Sequence, residues 1–194
     1  WSNEGVALSV SSNPDSEITT GSVIERPKVI FNKKTGKYVM WFHLELKGQG
    51  YAAARTGVAT SDSPLGPFEY IKSFRPNANV WPKNIDDSEK VYNEEDKSLE
   101  WWTSEWKASL VDGLYVRRDF EKGQMSRDMT LYVDDDGTAY HIHSSEENQT
   151  LHISVLTDDY LDFTDTYVRV QEGGQNEAPA IFKSGDPYYM ITSG

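Results

Sequence analysis

One short word recurs three times in this chain, each time with an acidic residue just ahead of a strand-like run. The copies are Glu25-Arg26-Pro27-Lys28-Val29-Ile30-Phe31, Arg127-Asp128-Met129-Thr130-Leu131-Tyr132-Val133 and Glu177-Ala178-Pro179-Ala180-Ile181-Phe182-Lys183. Each is followed by a glycine-containing turn and a second, aromatic-rich run, at Gly36–Phe42, Gly137–His143 and Gly185–Ile191. A repeat of roughly 50 residues built from β-hairpins points to a β-propeller. In a propeller the innermost strand of each blade starts at the mouth of the central channel. Three blades would therefore aim Glu25, Asp128 and Glu177 at one spot, and converging carboxylates suggest glycoside hydrolysis.

The 194 residues fit one domain, expected to be all-β, a single partial propeller over 1–194. A first blade is read over about 22–74, an insertion over about 75–124 (a degenerate extra blade would also fit), a second blade over about 125–172 and a truncated third blade over 173–194. In the first blade, strands with a turn at Asn32–Gly36 occupy about 28–43, and another strand is read at Tyr51–Thr60. The insertion carries Trp81, Trp101, Trp102 and Trp106 and a charge-rich stretch from Asp86 to Lys97. Within it, the pattern predicts a short amphipathic helix over Ser98–Leu110, capped at Ser98. In the second blade, runs at Thr138–Ser145, Leu151–Leu156 and Tyr167–Val170 read as strands. An open propeller would leave sheet edges bare. With Trp1 in place of Met and a strand-like run up to Gly194, both ends are expected to lie inside a longer protein.

A formal net charge of -12 makes nucleic acid and anionic membrane improbable partners, while a neutral, hydroxyl-rich carbohydrate suits it. The absence of cysteine excludes disulfides and thiolate metal sites. No apolar run approaches about 18 residues, the length of a membrane-crossing helix. No phosphate-cradling glycine loop, His-Glu-x-x-His word or nucleophile elbow is found.

Four words, Ile24–Val29, Met125–Leu131, Tyr140–Asn148 and Asn176–Ala180, occur in an order that strongly resembles glycoside hydrolase family 43. The likeness is greatest to its exo-β-1,3-galactanase and galactofuranosidase-like branches. That resemblance implies a five-bladed β-propeller and a secreted or periplasmic glycosidase, inverting and exo-acting on galactose- or arabinose-containing polysaccharide. It also implies that Glu177 is the general acid and that Asp128 orients this acid and tunes its pKa. Glu25 would line the sugar subsite, with Asn148 as a further contact. The Asp that most of the family uses as base comes from a blade not recognisable here, so the base is unassigned. A xylosidase or arabinofuranosidase of the same family, a fructan-hydrolase relative, and a non-catalytic glycan-binding propeller are the rival readings. Met129 and Ala178 argue against the fructan hydrolases, whose corresponding words read Arg-Asp-Pro and Glu-Cys.

The chemistry asks for an acid on the leaving oxygen and a base activating water on the opposite face. A charged Asp128 nearby would favour a protonated Glu177. Arg127 is expected to pair with a neighbouring carboxylate or a substrate hydroxyl, and Tyr51, His43 and His143 are candidates for the same mouth. An ion pair with Arg26 or another base is the plain alternative for Glu25. The insertion tryptophans are expected mostly to pack, with sugar stacking the alternative. Asp134–Asp136 looks at a glance like a calcium loop but lacks its spaced ligands, and a hairpin turn ending at Gly137 is the better reading. Strand alternation would leave at most one of Glu146 and Glu147 pointing inward. No cofactor is expected, and a structural calcium stays open.

Overall fold

The computed structural model describes residues 2–91 and 94–194, so residues 92 and 93 of the charge-rich stretch lie outside the described residues. The chain is built from antiparallel sheets. The first is an up-and-down meander of β1 (Val23–Asn32), β2 (Lys37–Glu45), β3 (Arg55–Ser61) and β4 (Glu69–Phe74). The second repeats it with β5 (Met129–Val133), β6 (Ala139–Ser145), β7 (Thr150–Leu156) and β8 (Phe163–Val170). A hairpin of β9 (Glu177–Lys183) and β10 (Tyr188–Ser193) completes the set. Strand β1 lies against β5, and β5 and β6 lie against β9, so the three acid-bearing words are side by side.

Apolar burial explains this stacking. Strand β2 is apolar on both faces, as expected of a strand covered on both sides. Val39 and Trp41 face a core shared with Met129, Ala139, Leu156 and Tyr160 of the second sheet. Met40, Phe42 and Leu44 alternate to the other side, where Ile18, Phe68 and the N-terminal segment cover them. The Trp41 indole is wholly buried and donates Nε1–H to the Tyr160 carbonyl at 2.9 Å. Gly57 is required on β3, because a Cβ there would stand 2.3 Å from the Phe42 ring.

Among the described residues, 75–124 hold no strand and carry two short helices, α1 (Ser104–Val111) and α2 (Leu114–Arg118). The sequence pattern places the helix start at Ser98, and the structure corrects this. The Ser98 hydroxyl donates to Glu95 O, closing a short 3-10 turn, and Trp102 sits at φ 73, which interrupts any helix. Thr103 is the actual cap, its hydroxyl accepting from Trp106 N at 3.2 Å. Strand β3 also begins later than Tyr51. Ala52 closes a turn onto Gln49 O, and Ala54 has φ 44, so Tyr51 sits on a loop. Strand β8 begins earlier than the expected Tyr167, at Phe163. The Asp134–Gly137 run forms the expected turn, with Gly137 N–H donating to Asp134 O. Its acids also clamp the next hairpin, through Tyr188 OH to Asp134 at 2.6 Å and Lys183 to Asp135 at 2.7 Å.

Between the two sheets lies a buried row of imidazoles. His141 Nδ1 stands 3.1 Å from His143 Nδ1, and His143 packs edge-on against His152. Burial pushes the His141 pKa down to about 3, and burial plus the neighbouring rings holds His143 well below its ordinary value. Both are therefore neutral when folded and protonate more readily when unfolded. Their contribution to stability is complete above the unfolded histidine pKa of about 6.5 and is lost progressively below it. Glu146, whose pKa is lowered, would add its own loss only below the ordinary carboxylate range. Thermal unfolding of the chain should thus fall in midpoint between pH 7 and pH 5. Replacing His141 and His143 together by Gln should flatten that slope; an unchanged slope would place its cause elsewhere.

Candidate active site

The starts of β1, β5 and β9 open onto a cavity of about 480 Å³ lined by Glu25, Arg26, His43, Tyr51, Arg127, Asp128, Asn148 and Glu177. The local backbone shows how the chain aims the two glutamates. In the β1–β2 ladder Glu25 pairs with His43 and Lys28 with Trp41, so one extra residue is accommodated at Arg26-Pro27. In the β9–β10 ladder Glu177 pairs with Ser193 and Ala180 with Ile191, giving the same extra residue at Ala178-Pro179. Arg26 has φ 53 and Ala178 φ 48, left-handed values that non-glycine residues avoid. Such bulges re-aim a neighbouring side chain and collect at functional sites. The repeated Glu-x-Pro word is therefore a bulge signature, since the proline donates no ladder hydrogen bond.

Asp128 sits between these two bulges and touches both. Arg26 Nε donates to Oδ1 at 3.0 Å, and Arg26 Nη2 lies 2.8 Å from Oδ2, a two-pronged pairing. Ala178 N–H donates to Oδ2 at 3.1 Å. The hydrogen bond to Asp128, then the Asp128 charge, raises the Arg26 pKa above the ordinary arginine value. Arg26 thus pairs with Asp128 rather than with its chain neighbour Glu25, the plain alternative that the sequence offered.

Glu25 is engaged differently. Tyr51 OH donates to its Oε1 at 3.0 Å, and that bond raises the phenol pKa. His43, nearly inaccessible, stands 3.2 Å from Glu25 Oε2 by Nδ1 and 2.8 Å from Glu45 Oε1 by Nε2. Glu45 in turn accepts from Ala54 N at 3.0 Å, which fixes the loop carrying Tyr51. Glu177 receives a 2.6 Å hydrogen bond on Oε1 from Asn148 Nδ2. Arg127 donates to the Tyr51 carbonyl at 3.1 Å and approaches Glu147 at 3.7 Å.

All six residues singled out from sequence, Glu25, Tyr51, Arg127, Asp128, Asn148 and Glu177, line this one cavity. His43 joins them, whereas His143 is fully buried in the imidazole row and is not at the mouth. The four tryptophans between residues 75 and 124 also lie elsewhere. Trp106 is core, Trp81 stacks on Phe120 at 4.2 Å, and Trp101 and Trp102 are about half exposed beside Trp106. Sequence reasoning does not single out Arg26 and Glu45 as site residues. The signal for Arg26 was present in the Glu-Arg-Pro word; Glu45 carries none, since it acts through His43 and Ala54. Among the described residues, no group of three or more His, Asp or Glu is arranged to hold a metal ion.

No family model matches the sequence, and no curated protein matches it. Among solved structures, a family GH43 β-1,3-galactosidase determined with galactodeoxynojirimycin is 57% identical, with TM-score 0.95 over 98% of this chain. An exo-β-1,3-galactanase from Clostridium thermocellum is 34% identical, with TM-score 0.68 over 94% of this chain. One from Phanerochaete chrysosporium, solved with β-1,3-galactotriose, is 32% identical, with TM-score 0.67 over 96%. The chain spans 56% of the first of these proteins, 32% of the second and 33% of the third.

The bulge geometry makes a direct prediction. At φ 48, position 178 tolerates glycine but penalises a β-branched residue. Ala178→Val should destabilise the chain by about 1–2 kcal/mol, whereas Ala178→Gly should stay within about 1 kcal/mol of the parent. Urea unfolding of the three proteins checks this; equal stability of all three would contradict the strained bulge.

Proposed function

We infer that this chain belongs to glycoside hydrolase family 43 and supplies the acid side of an active site that removes sugar units from a β-1,3-linked galactan. The observation that carries this reading is the meeting of Glu25, Asp128 and Glu177 in one cavity, with Arg26 pairing Asp128 and Asn148 on Glu177. Its 57% identity with a β-1,3-galactosidase supports galactose as the sugar. The two four-stranded sheets are then two blades of the family's five-bladed propeller, β9–β10 begins another, and residues 75–124 are an insertion between blades. A secreted or periplasmic location fits a polysaccharide substrate.

In this reading Glu177 is the general acid. Asn148 occupies its Oε1, which leaves Oε2 to carry the proton toward the glycosidic oxygen. Asp128 acts as orienter and modulator. Bound by Arg26 on one side and by the Ala178 N–H on the other, it fixes the backbone next to Glu177. Glu25, Tyr51 and Arg127 face the same space as hydrogen-bonding groups for sugar hydroxyls. The reaction is read as inverting and exo-acting: water attacks the face opposite Glu177, and the first product has the opposite anomeric configuration.

In the full-length protein, Glu177→Gln should lower turnover of unactivated β-1,3-galacto-oligosaccharides by about 100- to 10,000-fold. Aryl galactosides with good leaving groups should lose far less, because their departure needs little proton donation. Proton NMR of the first product reads the anomer. Equal losses on both substrate types would remove Glu177 from the acid role, and a retained anomer would remove inversion.

A further inference from the structure

We propose that buried Glu146, clamped by Arg169 and His152, is the positioning residue that presents Asn148 to the acid Glu177. The proposal rests on the acid role assigned to Glu177 above. Glu146, Glu147 and Asn148 have φ of 53, 57 and 63, three consecutive left-handed residues with no glycine among them. A turn of that kind persists only where its surroundings over-determine it.

The surroundings do so at each position. The Glu146 carboxylate has no exposed side-chain surface. Its Oε1 accepts from Arg169 Nε at 2.7 Å and lies 2.8 Å from His152 Nε2, and its Oε2 accepts from Arg169 Nη2 at 2.8 Å. Burial by itself would push the Glu146 pKa up, but the His152 bond and the Arg169 charge outweigh it and hold the pKa below the usual carboxylate range. Arg169 is itself immobilised, donating to the Val111 and Leu110 carbonyls at 2.9 Å each and, from its backbone, to Asn84 Oδ1 at 3.0 Å. One residue on, Glu147 takes Arg118 at 2.8 Å. The third residue, Asn148, is left pointing at Glu177 Oε1 at 2.6 Å.

A buried ion pair of this kind is a poor stabiliser by itself, and apolar replacements of similar shape often match it. What the charged pair supplies is directionality. Two parallel hydrogen bonds from a fixed guanidinium fork allow the Glu146 carboxylate one orientation, and therefore allow the turn one orientation. Neither Glu146 nor its partners Arg169 and His152 line the cavity, so Glu146 acts on the acid only through Asn148.

The test is Glu146→Gln, Asn148→Ala and the double variant of the full-length protein, assayed on a β-1,3-galacto-oligosaccharide and on a dinitrophenyl β-galactoside. Glu146→Gln should lower kcat/KM more than tenfold on the oligosaccharide and less than threefold on the activated galactoside. It should have no further effect once Asn148 is already Ala. Crystal structures of parent and Glu146→Gln read the geometry independently: the 146–148 turn should relax and the Asn148–Glu177 contact should open. An unmoved contact, or equal losses on both substrates in both backgrounds, overturns the proposal. Should the parent hydrolyse neither substrate, the galactanase reading fails, and the crystal structures still decide whether Glu146 positions Asn148. Should Glu146→Gln not fold, Arg169→Lys, which keeps the charge but not the fork, takes its place in every arm.

Discussion

The carboxylate of Asp128 is the fixed point of this structure. It is reached from one side by the Arg26 guanidinium of β1 and from the other by the Ala178 N–H at the start of β9. Three stretches of chain far apart in sequence thus close on two oxygen atoms. The geometry is enforced because both partners sit at left-handed bulge residues, where the backbone has few other places to go. Removing this carboxylate would leave an arginine without its partner and a backbone N–H without its acceptor at the mouth. Glu25 and Glu177, each one residue before a bulge, would lose the reference that sets their spacing.

The bulges also show how one local device, used twice, builds an asymmetric site. Glu25 and Glu177 occupy equivalent positions, yet their neighbours differ. Glu25 meets a phenol and an imidazole, whereas Glu177 meets a neutral amide. Those differences come from other strands and loops, namely His43 on β2, Tyr51 on a loop tied down by Glu45, and Asn148 in the β6–β7 turn. The repeated word fixes where the acids are, and the strands and loops outside it fix what they do.

That division explains what was legible in the sequence. The acid-bearing words, their hairpins and the aromatic strands are local patterns, and period-2 alternation together with glycine turns reports them directly. The grouping of Glu25, Asp128 and Glu177 came from repeat position, and Asn148 joined them through the family resemblance. The pairing of Arg26 with Asp128 was not legible, because it joins residues 102 apart and nothing local to Arg26 distinguishes Asp128 from the adjacent Glu25. The helix start was misplaced because Ser98 and Thr103 both suit a cap, and only the left-handed Trp102 between them decides which is used. His143 looked like a rim group on an alternating strand. It is buried because His141, His152 and Phe163 of the same sheet close around it, a fact of packing rather than of pattern.

The stretch over residues 75–124 does more than cover the outer strand. The carbonyls of Leu110 and Val111 at the end of α1 face Arg169 of β8, which supplies the positive charge a helix C-terminus favours. The same guanidinium holds Glu146. Asn84, earlier in this stretch, closes the other side, its side-chain amide exchanging two hydrogen bonds with the Arg169 backbone. Loosening this stretch would therefore leave a buried cation and a buried carboxylate with fewer partners than they need, at a cost of several kcal/mol. The turn that carries Asn148 begins at that carboxylate. A segment that contributes no residue to the cavity lining is thus mechanically continuous with the side chain that touches the proposed acid.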